Sequence, residues 1–533
     1  MNSKGSGWRL AFAGAVAVGA ALAIGELIAG VVSGVPSPLL AVARFVVDIQ
    51  PPGAKELVVG LFGTADKLVF QVFIVLVGVA VGAVLGRLSP RRPDLASAIL
   101  AAFTGAGFLA SLREPGVVAA LSAGAAAIEA LAGIYLLRRL VALAMPPGGA
   151  VTASASMGAV RGGTATRRSP SSMPDWSRRS LLQAGGAIAV GSVAAGAIGR
   201  LLLERQRAPA TPVGGIPSPQ LPAELPAGAD IATTDLSAAG LTPIVVPNAD
   251  FYRIDTAFIP PTVDRDGWRL KVTGLVDHLI ELTYAELVAL PVVEQYVTIA
   301  CVSNEVGGDL VGNAKWTGVA LRDVLAMAGV QASADQLVGH SVDGFTAGMP
   351  VEWVMDQSRV PMIAVAMNDA PLPHEHGYPA RLIIPGLYGY VSATKWLAEL
   401  ELTRFDAFQA FWVPRGWAAK APILTQSRID VPAFGATVAA GRTPIAGVAW
   451  APDRGIKAVE VNVDGAGWIP ARISTPISKA TWVQWLFRWD ATPGAHTIEV
   501  RATDGTGEVQ TDAHSQPAPD GARGHQRIQV TVA

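Results

Sequence analysis

Cys301 is the only cysteine in the 533-residue chain. It follows an apolar run, Tyr296 to Ala300, and opens the segment Cys301-Val302-Ser303-Asn304-Glu305-Val306-Gly307-Gly308-Asp309-Leu310. A single cysteine closes no internal disulfide, so its chemistry is that of a free thiolate, as a nucleophile or a soft metal ligand. The competing reading is a small buried hydrophobe. The histidines add little metal chemistry. They are His278, His340, His374, His376, His496, His514 and His525, all in the second half of the chain. His374 and His376 have no second cluster nearby, so a zinc site is a weak reading. One cysteine also excludes a CxxCH haem attachment.

The neighbours of Cys301 resemble the sulfite oxidase family of molybdopterin enzymes. The resemblance continues through Lys315-Trp316-Thr317-Gly318-Val319-Ala320-Leu321, then His376-Gly377-Tyr378-Pro379-Ala380-Arg381 to Gly386, and ends at Thr394-Lys395-Trp396-Leu397. It covers residues 245–533. It implies a molybdenum–molybdopterin cofactor with a single pterin, and Cys301 as the metal's thiolate ligand. It implies that His376, Arg381 and Lys395 hold the pterin and its phosphate, with Asn304 beside Cys301. Arginine suits phosphate because its planar fork donates two parallel bonds. By the same resemblance Tyr252 and Arg253, in Asp250-Phe251-Tyr252-Arg253-Ile254-Asp255, reach cofactor and substrate. Arg454, in Ala449 to Arg454, caps the substrate cavity, and Trp417 stands where sulfite-oxidising relatives carry a pocket tyrosine.

Two departures bear on substrate. Relatives that oxidise sulfite follow the cysteine with an Asn-Arg-Arg pattern, whereas here Asn304 precedes Glu305 and Val306. Exchanging a cation for an anion about 4 Å from a substrate charge changes the interaction by several kcal/mol at an effective dielectric of about 20. The interval from Arg381 to Lys395, with Tyr388 and Tyr390, also carries a small insertion. The expected reaction is two-electron oxygen-atom transfer, oxidising a small oxyanion such as sulfite. Reduction of a sulfoxide or other oxo-compound on the same site is the alternative, and a non-catalytic envelope assembly protein is the third reading.

Such a site needs a scaffold, and composition divides the chain in two. It is 51% hydrophobic and 16% charged, with a mean hydropathy of +0.39. Soluble proteins carry about a quarter charged residues, so a membrane region is diluting the charge. Uncharged runs at 10–25, 68–86, 95–112, 115–128 and 180–199 reach or approach the roughly 20 residues that span a bilayer, once the first and fourth are extended past Glu26 and Glu129. Five transmembrane helices are expected. Lys4, Arg9, Arg87, Arg91, Arg92, Arg138, Arg139, Arg161, Arg167, Arg168, Arg178 and Arg179 fall on one side if the N-terminus is cytoplasmic. An odd number of spans then puts the catalytic region outside the cytoplasm, on a multi-pass protein of the cell membrane. Ser177-Arg178-Arg179-Ser180-Leu181-Leu182-Gln183 resembles a twin-arginine export signal, which would pass a domain already folded around its cofactor.

The expected domains are transmembrane helices one to four at 1–145, a cytoplasmic linker at 146–179, the fifth span at 180–203, and a Pro/Ala-rich spacer at 204–245. An α+β molybdopterin domain at 246–420 and an all-β, immunoglobulin-like, dimerisation-type domain at 421–533 follow. Trp268 to Val272 alternates as a strand, Thr283 to Leu290 is a capped helix, Leu321 to Met327 a short helix, and Arg381 to Ile384 a strand stopped by Pro385-Gly386. Val459, Val461 and Val463 share a strand face, as do Trp485, Phe487 and Trp489, the spacing of a sandwich. No histidine lies in the expected spans, so the membrane helices offer no bis-histidine haem site. An external carrier, a cytochrome or quinol-linked protein, must exchange the electrons. The balanced charge of −1 argues against a nucleic-acid partner.

Overall fold

Uncharged runs of Ala, Val, Leu and Gly cannot satisfy their backbone groups in a lipid phase except as helices, and helices are what the first unit contains. The computed structural model describes residues 4–49, 66–114, 116–145, 176–206, 215–223, 225, 236 and 238–533. It forms two units, Met1–Ala208 and Pro209–Ala533. In the first, α1 (Lys4–Val31), α2 (Pro38–Ile49), α3 (Asp66–Leu88), α4 (Pro93–Ser111), α5 (Ala119–Ala144) and α6 (Trp176–Gln206) follow in order. Five of these, all but α2, are long and apolar enough to cross a membrane. The twin-arginine motif expected at Ser177 to Gln183 falls at the start of α6, where the side chains through Arg178 lie outside the described residues.

Glycines set the packing of α1. A Cβ on Gly14 would collide with the Gly82 carbonyl and the Gly86 backbone of α3, and a Cβ on Gly86 with the Leu10 carbonyl. Gly30 meets Gly199 of α6 in the same backbone-to-backbone way. Small residues at such crossings let helix axes approach closely, which is how apolar helices gain contact in lipid.

The sequence reading did not anticipate α2. Its 12 residues extend about 18 Å, well short of a bilayer. Ser37 caps it, accepting from the Leu40 N–H at 3.1 Å and donating to Glu26 Oε1 at 2.6 Å, while the Leu39 N–H also donates to Glu26 Oε1 at 3.1 Å. Glu26 therefore sits at a helix N-terminus, where its negative charge is favoured. Glu129 packs against Gly25, whose absent side chain leaves room for it.

The second unit is built on three sheets. The first has the order β2 (Ile280–Thr283), β1 (Arg269–Gly274), β10 (Leu397–Thr403), β5 (Gln336–Ser341), β6 (Thr346–Pro350). The second runs β3 (Val292–Ala300), β4 (Val311–Ala320), β7 (Met362–Met367), β8 (Ala370–Pro371), with β9 (Arg381–Ile383) also on β7. Helix α7 (Tyr284–Val288) starts at the expected cap: Thr283 accepts from Glu286 N–H, and Glu286 reaches back to Thr283, the reciprocal capping box. Helices α8 (Leu321–Ala328), α9 (Val351–Met355) and α10 (Gly389–Ser392) complete the layer. One core holds both sheets together, with Trp316, Leu382, Leu400 and Ile363 inside, and it continues into the C-terminal region through Val448, Trp450 and Trp482.

The expected sandwich is one curled sheet of eight strands: β11 (Gln426–Val431), β13 (Gly441–Trp450), β16 (Val483–Ala491), β15 (Ile469–Ile473), β14 (Ile456–Val463), β17 (Gly494–Asp504), β18 (Gln526–Val532) and β12 (Thr437–Val438). Strand β15 is the corner. It pairs Ile469 with Val461 of β14 and Ile473 with Trp485 of β16. Ile445, Val483 and Trp485 of one half then pack with Val459, Val461, Ile498 and Val530 of the other. Trp485, Phe487 and Trp489 of β16 share the inner face as expected, and Leu486, on the outer face, is covered by Leu236. That contact belongs to the segment expected to be a loose spacer. Residues 207–214, 224, 226–235 and 237 of it lie outside the described residues. Elsewhere it is docked on its own unit: the Gln220 N–H donates to Val292 at 2.8 Å, the Leu236 N–H donates to Gln484 at 2.6 Å, and Ile244 is in the core.

Candidate active site

Cys301 leaves the end of β3, and the antiparallel pairing of Ala300 with Val311 forces the chain to return within the ten-residue segment that the sequence singled out. The Cys301 N–H donates to Leu310 at 2.9 Å, and the Asn304 N–H donates to Cys301 at 3.1 Å. Asn304 closes the loop: its Oδ1 accepts from the Leu310 N–H at 2.8 Å. That side chain shapes the turn under Cys301. Glu305, the departure expected to alter the substrate's electrostatics, is exposed.

Cys301 is buried and free. Two phenols stand within electrostatic reach of it, Tyr252 and Tyr388. Burial first, and the neighbouring Cys301 second, push the Tyr252 hydroxyl upward, with Arg381 opposing. Burial likewise pushes Tyr388 up to about 12. Both therefore remain phenols at neutral pH.

Behind Tyr252 lies a cluster of cations. Phe251 stacks on Tyr252 with ring centroids 5.3 Å apart and meets Trp316 and His376 edge-on at 5.9 and 5.7 Å. Gly312 is bare because a Cβ there would come within 2.7 Å of the Phe251 ring. Arg381, on β9, is 3% exposed. Its guanidinium lies 5.1 Å from the Trp316 ring centre and donates to the His376 carbonyl at 3.1 Å. Burial without a carboxylate partner lowers it to about 10. Lys395, just before β10, donates to Asp255 at 3.2 Å and to the Glu375 carbonyl at 3.0 Å, and burial lowers it to about 8 against the pull of Asp255. Arg253 reaches the same Asp255 oxygen at 3.1 Å.

His376 completes the cluster. Its Nε2 donates to the Asn248 carbonyl at 3.3 Å. Burial, then Lys395 and Arg381, hold it down at about 4, so the ring is neutral and Nδ1 is an acceptor. The turn containing it comes close to the next strand: Gly377 has φ +111°, and a Cβ would press on Arg381 and Lys395 at 3.1 Å. In that turn, His374 bonds the Pro260 backbone, which leaves its buried Nε2 without a partner. Arg253 and Lys395 thus share one carboxylate, Asp255, while Arg381 has none. Cations taken from water need anionic partners, and an excess of buried positive charge beside a buried thiol fits a phosphate-bearing dithiolene cofactor.

The structure brings together six of the expected residues: Tyr252, Arg253, Cys301, His376, Arg381 and Lys395. It does not bring Arg454 or Trp417 to that cluster. Arg454 donates to Asp504 at 2.7 Å, to the Ile423 carbonyl at 3.0 Å and to Thr425 at 3.1 Å. Asp504 is fully buried and held down at about 2 by hydrogen bonds from Thr506, Arg454, Thr425 and the Glu508 N–H. Trp417 is buried and packs on Tyr390, with ring centroids 5.7 Å apart. Sequence reasoning gave no role to Asp255, which orients two cations, or to Tyr388. The first lay two residues from Arg253, the second in the inserted interval; those positions were the available signals.

Residues 257–412 match the family model described as oxidoreductase molybdopterin binding domain. The uncharacterized oxidoreductase YuiH of Bacillus subtilis (strain 168) is 33% identical over 164 residues, 31% of this chain and 79% of that protein. Mitochondrial sulfite oxidase of Homo sapiens is 27% identical over 316 residues, 50% of this chain and 57% of that protein, so the chain spans little more than half its length. Among solved structures, the sulfane dehydrogenase SoxCD of Paracoccus pantotrophus aligns over 56% of this chain and 83% of that one, at 24% identity and a TM-score of 0.47.

Proposed function

Because this chain belongs to the family of molybdopterin oxidoreductases of sulfite oxidase type, we propose that it is a membrane-anchored enzyme of oxygen-atom transfer that oxidises a small oxyanion such as sulfite. The observation that carries this reading is a buried free thiol, Cys301, within electrostatic reach of Tyr252, behind which the buried cations Arg381 and Lys395 gather.

The cofactor, when bound, supplies a metal that exchanges an oxygen atom with substrate and returns two electrons singly. The chain does the rest. Cys301 would provide one thiolate, Arg381 and Lys395 would neutralise the phosphate, and the neutral His376 would offer Nδ1 as an acceptor to the pterin, while Asp255 keeps Arg253 and Lys395 in register. Phe251 and Trp316 exclude water behind them, which strengthens each of these interactions.

A second reading, reduction of a neutral oxo-compound such as a sulfoxide, has its own support. The cation within electrostatic reach of Tyr388, Arg523, is spent on Asp520 in two bonds of 3.0 and 2.8 Å. Arg454 is spent on Asp504. Neither offers an uncompensated charge to a substrate anion.

We further propose that the five apolar helices cross the cell membrane with the N-terminus in the cytoplasm. The catalytic unit would then lie outside, and electrons would pass to a cytochrome or a quinol-linked protein. The Lys and Arg distribution supports the orientation. The C-terminal sheet is the proposed dimer contact, and the twin-arginine motif the proposed export signal.

Sulfite added to the oxidised, molybdenum-loaded full chain should raise the electron paramagnetic resonance of five-valent molybdenum within the mixing time. Silence toward sulfite from a metal that dithionite still reduces would contradict sulfite oxidation, and turnover of dimethyl sulfoxide would then establish the second reading.

A further inference from the structure

The segment that carries Cys301 is gripped on both sides by the C-terminal region. Before the cysteine, Thr298 of β3 is fully buried, its N–H donates to the Ala480 carbonyl at 2.9 Å, and its hydroxyl accepts from the Trp482 N–H at 2.7 Å. After the cysteine the grip is by side chains. Arg428 of β11 donates from Nη1 to the Gly308 carbonyl at 3.1 Å. Gln526, the first residue of β18, lies against Gly307, where φ is +79° and a Cβ would come within 2.5 Å of the Gln526 Nε2.

Both side chains are themselves fixed. Arg428 is 8% exposed, its Nε donates to Asp430 at 2.6 Å and its Nη2 to Thr242 Oγ1 at 2.8 Å, and the Thr242 N–H donates in turn to Asp430 at 3.0 Å. Gln526 Oε1 accepts from the Ile429 N–H at 2.5 Å, which ties it to the same strand as Arg428. A planar guanidinium with all three nitrogens engaged has one geometry, and a lysine ammonium does not reproduce that fork.

The bonds of Arg428 are spent inside the protein, so its effect on the thiol passes through the backbone. The Gly308 N–H donates to Glu305 at 2.9 Å, Asn304 Oδ1 accepts from the Leu310 N–H at 2.8 Å, and the Leu310 carbonyl accepts from the Cys301 N–H at 2.9 Å. These bonds lead from the clamped glycines back to the cysteine. A metal ligand has to be held to within about 0.5 Å of its working position by the groups that support it.

We propose that Arg428 and Gln526 are positioning residues for the Cys301 thiolate: the C-terminal sheet clamps the loop at Gly307 and Gly308 and thereby sets how the sulfur meets its metal. This role rests on the reading of Cys301 as the molybdenum ligand. It gives the C-terminal sheet a part in the active site, beyond the proposed dimer contact.

Because Cys301 is the only cysteine, a maleimide reports on this loop alone. Labelling rates are measured on the full-length, cofactor-free chain as wild type, Arg428→Lys, Gln526→Ala and Arg501→Lys. Arg501, in the same sheet, pairs with Glu460 at 2.8 Å and serves as the control. Arg428→Lys should label at least about tenfold faster than wild type, the scale of one hydrogen bond from a charged group lost to a loop that opens locally. Gln526→Ala should change in the same direction, and Arg501→Lys should stay within about two-fold. In the molybdenum-loaded proteins, half-reduced by dithionite without substrate, the five-valent resonance should shift its line positions in Arg428→Lys and not in Arg501→Lys. Labelling rates and resonances of Arg428→Lys and Gln526→Ala that match the control overturn the proposal. A wild-type molybdenum without a bond to Cys301 overturns the functional reading instead, and the labelling rates still decide whether the two residues hold the thiol.

Discussion

The guanidinium of Arg381 lies 5.1 Å from the centre of the Trp316 ring and donates to the main-chain oxygens of His376 and Leu382. Both residues are buried. The arrangement provides a cation–π contact and hydrogen bonds but no counter-charge, so the folded protein holds an arginine whose anion has to come from elsewhere.

Arg381→Met should therefore separate stability from loading. Removing an unpaired buried charge in favour of an apolar chain of similar length should stabilise the cofactor-free protein by about 1–3 kcal/mol. The same substitution should reduce bound molybdenum at least about tenfold, the cost of losing one charge-assisted contact. Chemical denaturation and metal analysis check the two effects; a destabilised variant that loads normally would contradict the role.

Acid should weaken the cofactor-free protein through His376. Its folded value, about 4, lies below the ordinary histidine value of 6.5. Between these values the unfolded chain binds more protons, so stability falls as pH drops through that window and is fully present above it. The loss approaches about 3 kcal/mol by pH 4. His376→Gln should remove most of that slope, as measured by denaturant midpoints from pH 7 to pH 4.

Arg454 was expected to cap the substrate cavity, and the structure instead gives it to Asp504. Arg454→Ala removes the charged partner of Asp504, which keeps its hydrogen bonds from Thr425, Thr506 and the Glu508 N–H, and should cost about 1.5–3 kcal/mol. Thermal unfolding should reveal that loss while KM stays unchanged. A raised KM at wild-type stability would restore the cavity role.

In the membrane unit, Gly14→Leu or Gly86→Leu should separate α1 from α3, because either side chain would collide with opposing backbone. The expected outcome in detergent is a lowered unfolding temperature and proteolysis between these helices. Leucine at Gly105 or Gly124, which face open space, should be tolerated.

Much of this molecule was legible in its sequence, for reasons that differ by region. The long helices follow from runs without charge, and α7 from Thr283 and Glu286 at capping-box spacing. Cys301, His376 and Arg381 stood out as candidates because their segments resemble the sulfite oxidase family. Helix α2 was not legible, since twelve residues with Arg44 and Asp48 fall below a spanning pattern. The docking of Leu236 and Ile244 was hidden within a Pro-rich segment whose partners, Gln484 and Trp482, lie more than two hundred residues away.

The account stands on the Cys301 thiolate as a molybdenum ligand, and X-ray absorption at the molybdenum edge tests it directly. Wild-type full-length protein should show three sulfur neighbours, two from one pterin dithiolene and one from the chain. Cys301→Ser should show two. Three sulfurs retained in Cys301→Ser, or a wild-type metal with only two, would contradict it.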